Sequence, residues 1–224
     1  MIHVKISIPR CSDELLERFR GVSVATVHEA MGRRGALDYR IKPVASSMGM
    51  CGRAITVAAH PADNIMLIRA VSLAQAGDVV VMNAGSIEHA GSFGEVLACE
   101  CKARGMGGFV TSGSVRDSAA LARLGFPVFS AGVSIRGTAK ATLGQVNAPL
   151  AMGDVVVNPG DIVLGDNDGV VVVPLAEAED VLAASKERER KEAAVMEHLR
   201  NGESLFDIYE YQKVFDRLGC VEVD

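Results

Sequence analysis

The chain has 224 residues, 49% of them hydrophobic, and a formal net charge of -5, so it can bury one large core, and its acidic balance excludes a broad nucleic-acid footprint. Trp is absent and aromatics make up 4%, which argues against a base-stacking surface. No apolar run reaches the length of a membrane span, and Lys5 breaks the short apolar N-terminal run, so neither a span nor a signal peptide is expected.

Taken in order, Ser12-Asp13 can open a helix carrying Leu15, Leu16 and Phe19 at helical spacing. Ser23 is expected to cap a second helix over 24–31, ended by Gly32. Residues 33–50 read as loop. The β-branched run 53–59 predicts a strand, 63–76 a helix ended at Gly77, and 78–82 a buried strand. From Gly91 to Asp117 the order is glycine-rich loop, helix, strand, then a loop ending in Arg116-Asp117. A helix over 117–124 and a strand over 127–130 follow. After Ala131 the chain turns strand-rich, with strands around 146–149 and at 154–157, 161–165 and 169–174. Asn158-Pro159-Gly160 and Asp166-Asn167-Asp168-Gly169 supply turns between them. A long charged helix covers 176–200, ends at Asn201-Gly202, and precedes a last helix over 204–217. Without linker or repeat, this is one α/β domain over 1–224, with 175–224 as a C-terminal helical arm.

The Gly91–Asp117 stretch carries the chemistry. A helix N-terminus offers unpaired N–H groups to an anion. An arginine grips a carboxylate through paired hydrogen bonds, and an aspartate is a hard ligand for Mg²⁺ or Mn²⁺. The bland reading makes Asp117 an ordinary N-cap, Arg116 a surface residue and Glu95 a first-turn glutamate favoured by the helix dipole. Position after a buried strand favours a site. Lys140, in GTAKAT, is a solvated lysine on the bland view and a Schiff-base former on the sharp one. His28, His60 and His89 are too scattered for a zinc pattern. On a helix, Cys99 and Cys101 diverge, which makes them a surface thiol and a core thiol. The five cysteines lack framework spacing, which suits free thiols in a reducing cytoplasm. The KERERKE run at 186–192 is a solvated helix face laced with ion pairs. GMGG at 105–108 does not fit the dinucleotide fingerprint, which disfavours a dinucleotide- or methyl-donor-binding fold.

Motifs along most of the chain resemble the class II pyruvate aldolases that cleave 4-hydroxy-4-methyl-2-oxoglutarate and 4-carboxy-4-hydroxy-2-oxoadipate. They are ATVHEAMGR (25–33), HPADNIM (60–66), FGEVLA (93–98), VRD (115–117), GFPVFS (125–130), GTAKATLGQVN (137–147), VNPGDIV (157–163) and DGVVVVP (168–174). The resemblance implies a layered β/β/α, swivelling-domain-like fold, a homotrimer or homohexamer with the arm at the subunit interface, and a carbon–carbon lyase dependent on Mg²⁺ or Mn²⁺. It implies Asp117 as the direct metal ligand and Arg116 as the group that binds the oxo acid and steadies the enolate. The N–H groups of Gly94, Glu95, Val96 and Leu97 would cradle the pyruvyl carboxylate. Glu95, and Glu192 of an adjacent subunit, would hold metal-bound water. Expected chemistry is cleavage of the oxoadipate to pyruvate and oxaloacetate, or of the oxoglutarate to two pyruvates, with oxaloacetate decarboxylation as a side reaction in the breakdown of aromatic compounds. This chain has GEVLA where GELLA is usual, and TSGSVRD for IDAGVRD or IDGAVRD, which places Ser112 at a common aspartate position. His60, Asn64 and Arg136 are candidates for the distal carboxylates. The same fold serves a regulator of ribonuclease E, so a non-enzymatic binding protein is one alternative and a dedicated oxaloacetate decarboxylase another.

Overall fold

The computed structural model describes residues 3–46, 48–85 and 89–223. Two short helices lead, α1 (Asp13–Phe19) and α2 (Val24–Ala30). Ser12 caps α1, its Oγ accepting the Leu15 N–H at 3.2 Å. Ser23 does not cap α2 with its side chain; the Val24 N–H goes to Asp166 Oδ2 at 3.1 Å. A carboxylate from far along the chain thus starts that helix, which no local pattern reveals.

Strands and helices then alternate: β1 (Lys42–Pro43), β2 (Met50–Ala58), α3 (Ile65–Leu73), β3 (Asp78–Asn83), α4 (Glu95–Ala103), β4 (Gly108–Val115), α5 (Ser118–Leu124) and β5 (Val128–Val133). Strands β2 to β5 lie side by side in chain order and parallel, as strands joined by helical crossovers do. The strand-rich second half supplies β6 (Gln145–Val146), β7 (Leu150–Met152), β8 (Val155–Val157), β9 (Ile162–Asp166) and β10 (Gly169–Val173). β9 adds antiparallel to the other edge of β2, β10 follows it, and β1 adds antiparallel to β5. The path runs β1-β5-β4-β3-β2-β9-β10, with β6 also on β2 and β7–β8 as a separate hairpin. Its two end strands meet, Lys42 Nζ donating to the Asp168 carbonyl, so the sheet curls into a nearly closed barrel.

Alternation along the strands sorts the core. Val79, Val81, Phe129, Val163, Val170 and Val172 pack together inside the barrel. Val80 and Met82 join the residues under α3, α4 and α5. Ile162, Leu164, Val171 and Val173 pack against α1, α2 and α6 (Ala178–Arg200). This is the period of two expected of strands covered on both faces.

After a 3₁₀ turn at Leu175–Glu177, α6 buries Ala178, Val181, Leu182 and Ser185. Beyond Ser185 no described residue is buried. The last helix expected over 204–217 is two, α7 (Leu205–Ile208) and α8 (Tyr211–Leu218), because Glu210 takes a left-handed φ of 50° between them. β2 starts at Met50, earlier than the sequence pattern shows, because β9 pairs with residues 50–53. α3 is shorter at both ends than expected: Asp63 accepts the Ile65 N–H at 2.9 Å, and Ala74 is already extended.

Candidate active site

The glycine loop before α4 zips onto the end of β4. Ser92 N–H donates to the Ser114 carbonyl at 3.1 Å, and Arg116 N–H to the Phe93 carbonyl at 2.8 Å. Phe93 pins the loop to the core: it is 1% exposed and stacks on Phe109, with ring centroids 4.2 Å apart. This zipper sets Arg116 and Asp117 beside the first turn of α4.

Gly94 has extended backbone, so its requirement is space. A Cβ there would collide with Asp117 Oδ2 and come within 2.9 Å of Arg116 Cγ. Asp117 sits at the N-cap position of α5 with a left-handed φ of 58°. It does not use its side chain as a cap for α5. The carboxylate turns instead to α4, where its Oδ2 accepts the Glu95 N–H at 3.1 Å. Aspartate is among the non-glycine residues that enter the left-handed region most readily, and here the conformation frees the carboxylate from its own helix. Arg116 Nε lies 3.6 Å from the same Oδ2, with both side chains nearly half exposed. An ion pair so exposed adds little stability.

Beside these residues opens a cavity of about 310 Å³, lined among others by Asn64, Ser92, Gly94, Arg116, Thr138 and Lys140. Val96 and Leu97 also line it. The charged side chains in the lining are Arg116 and Lys140, both cationic, and the first-turn N–H groups of a helix lack intrahelical partners. The lining therefore favours a small anion. Asn64 donates from Nδ2 to the Ser92 carbonyl at 3.0 Å, which leaves its buried Oδ1 without a hydrogen-bond partner.

The structure thus gathers Gly94, Glu95, Val96, Leu97, Arg116 and Asp117 in one place. Asp117 and the exposed Glu95 stand beside the cavity and are not part of its lining. Glu192 lies on α6, paired with Arg188 at 2.8 Å, and is not in the lining either. Of the candidates for distal carboxylates, only Asn64 lines the cavity; the His60 ring meets the Pro61 carbonyl, and Arg136 contributes its own carbonyl to the Gly91 N–H at 2.8 Å. Ser112 ties strand ends instead, accepting the Ala84 N–H at 3.0 Å. Lys140 lines the cavity and is exposed, not in the desolvated pocket typical of Schiff-base lysines. Its place in the wall has no local signal, because it is delivered by hydrogen bonds between residues 139–142 and residues 62–64. Among the described residues no group of three or more His, Cys, Asp or Glu can cage a metal. The donor set fits Mg²⁺ bound the way that ion commonly is, through one carboxylate with water and substrate completing the shell. Asp117 Oδ2 meets the α4 N-terminus, and the carboxylate is 42% exposed.

The sequence and the fold mark out a family. Residues 24–172 match the model of the RraA-like family, described as Aldolase/RraA. The chain belongs to that family. A protein of Halalkalibacterium halodurans named "Putative 4-hydroxy-4-methyl-2-oxoglutarate aldolase" is 32% identical over 181 residues, covering 81% of this chain and 86% of its own length. Among solved structures, Streptomyces coelicolor RraAS2, titled an unusual member of the RNase ES inhibitor RraA family, superposes with a TM-score of 0.78 at 27% identity, covering 85% of this chain and 99% of its own. RraA from Thermus thermophilis, titled an RNA-processing inhibitor, gives a TM-score of 0.62 at 25% identity, covering 68% and 92%.

Proposed function

We propose that this chain is a divalent-metal-dependent (class II) pyruvate aldolase. It cleaves 4-carboxy-4-hydroxy-2-oxoadipate to pyruvate and oxaloacetate, and 4-hydroxy-4-methyl-2-oxoglutarate to two pyruvates. The observation that carries the reading is the cavity with exclusively cationic charge in its lining, beside an aspartate that has been turned away from its own helix. The aldolase-named relative supports it.

Asp117 would hold Mg²⁺ or Mn²⁺, and Glu95 would accept hydrogen bonds from water beside it. When bound, the ion supplies Lewis acidity at the 2-oxo group. Arg116 and the N–H groups of Val96 and Leu97 bind the pyruvyl carboxylate. A water-derived base takes the C4 hydroxyl proton. The C3–C4 bond breaks, its electrons form the pyruvate enolate, and oxaloacetate departs. Arg116 stabilises the enolate charge, worth about 3–4 kcal/mol for a preorganised donor of this kind. Protonation at C3 gives pyruvate. Decarboxylation of oxaloacetate uses the same enolate chemistry. The arm seats against a second copy in a trimer or hexamer, and Glu192 reaches the neighbour's site from it.

The test couples pyruvate release to lactate dehydrogenase, with Mg²⁺ and then with EDTA. Release with Mg²⁺ that EDTA stops is expected, and Asp117→Ala is expected to abolish it. Retained activity in that variant sinks the metal-ligand assignment. Borohydride with pyruvate is expected to trap nothing; an adduct lost in Lys140→Ala means a Schiff base. The likeness to RNA-processing inhibitors supports a second reading, a binding protein for a ribonuclease. No release from the oxo acids, with capture of a ribonuclease, favours that reading. Carbon dioxide release from oxaloacetate without any aldol cleavage means a dedicated decarboxylase.

A further inference from the structure

One wall of the cavity is fastened by a buried carboxylate. Asp63 is 3% exposed and accepts three backbone N–H groups: Ile65 at 2.9 Å, and, from a loop far along the chain, Ala141 at 2.7 Å and Thr142 at 2.9 Å. Two backbone bonds tighten the same joint. Asn64 N–H donates to the Ala139 carbonyl at 3.1 Å, and Ala139 N–H to the Ala62 carbonyl at 2.8 Å. Residues on both sides of Lys140 are therefore tied to the head of α3. Lys140 itself is in no salt bridge among the described residues, although it is one of two cations lining the cavity. Among the described residues no carboxylate pairs with it. A lysine on a free loop loses much of its binding energy to ordering; one whose neighbours are pinned loses less.

Resting on the aldolase reading, we propose that Asp63 is a positioning residue that holds Lys140 to grip the distal carboxylate of the substrate. Arg116 and the start of α4 take the pyruvyl end, and Lys140 takes the other. The site then selects oxo acids with two or more carboxylates over acids the size of pyruvate.

Calorimetry with Mg²⁺ present tests this, using pyruvate and 2-oxoadipate, a diacid that lacks the hydroxyl needed for cleavage. The protein is expected to bind 2-oxoadipate about tenfold more tightly, the scale of one charge-assisted hydrogen bond at a half-open site. Lys140→Ala is expected to erase that margin and leave pyruvate affinity little changed. Asp63→Asn is expected to shrink the same margin, and the double variant to bind the diacid no more weakly than Lys140→Ala. Thr142→Pro, which deletes one N–H donor to Asp63 and leaves the carboxylate in place, is expected to act in the same direction and serves if Asp63→Asn does not fold. An unchanged margin in Lys140→Ala overturns the inference while pyruvate binding keeps the aldolase reading alive. An Asp63→Asn variant that weakens both ligands equally, or a double variant weaker than Lys140→Ala, makes Asp63 mere scaffold and overturns its role. If neither acid binds the unaltered protein, the inference and the aldolase reading fall together.

Discussion

At the scale of single residues, the site is built by close approach. Gly94 leaves the space that Asp117 and Arg116 occupy. Gly94→Ala is therefore expected to push the carboxylate off the start of α4. Misplacement on the order of 1 Å costs about a hundredfold in rate, and steady-state kinetics checks it; wild-type rates in Gly94→Ala would show that the close packing is irrelevant to the chemistry. The thiols divide by burial. Burial pushes Cys101 up to about 12 and Cys51 up to about 11, while Cys99 is exposed. Since the thiolate is the reactive form, alkylation at pH 8 is expected to mark Cys99 in the folded protein and to reach Cys51 and Cys101 only after denaturation. Peptide mapping reads the outcome directly.

At the scale of elements, two anchors hold the loops around the cavity. Phe93 stacks under the glycine loop, so Phe93→Ala is expected to cost about 3–5 kcal/mol in denaturant unfolding, the range for emptying a buried aromatic site. Asp63 anchors the Lys140 loop electrostatically. Burial pushes its carboxyl up, but the N–H groups of Ala141, Ile65 and Thr142, helped by His60, outweigh this and hold it below the ordinary value of 3.8. A depressed carboxyl gives its stabilisation above the ordinary value and loses it as pH falls through the lower folded value. The Ala141 and Thr142 amides are thus expected to stay protected from hydrogen exchange at about pH 5 and at pH 3.8, and to lose protection only as pH falls further, through the lower folded value. Protection that persists there would mean that the backbone bonds alone suffice. These anchors also mark the limit of what the sequence displays. Arg116-Asp117 after a buried strand, and the glycines before a helix, are local patterns, and they stood out. Asp63 and Lys140 belong together only because residues 63 and 141 touch. Likewise the cap of α2 is Asp166 rather than Ser23, and β2 begins early because β9 pairs with it. Partners distant in sequence leave no periodic trace.

At the scale of the whole molecule, the arm stands apart. Leu205, Phe206, Tyr209, Tyr211, Phe215 and Leu218 are exposed on α7, α8 and the turn between them. Phe206 meets Tyr211 and Phe215 edge-on, at centroid distances of 6.2 and 5.4 Å. Apolar faces of this kind mark association surfaces. A chain ended at Arg200 is expected to sediment as a smaller species while its core unfolds at nearly the same temperature. An unchanged assembly would separate the arm from oligomerisation. The sheet has its own consequence for how the chain is made. β2 pairs with β3 on one edge and with β9 on the other, Met50 opposite Gly165. During synthesis, the helix-crossed strands β2 to β5 emerge first and leave one edge of β2 without its partner. An unpaired edge invites intermolecular pairing. Until residues 162–165 leave the ribosome, the growing chain is expected to carry an open template for aggregation, and closure of the barrel is expected to be the late, long-range step of its folding.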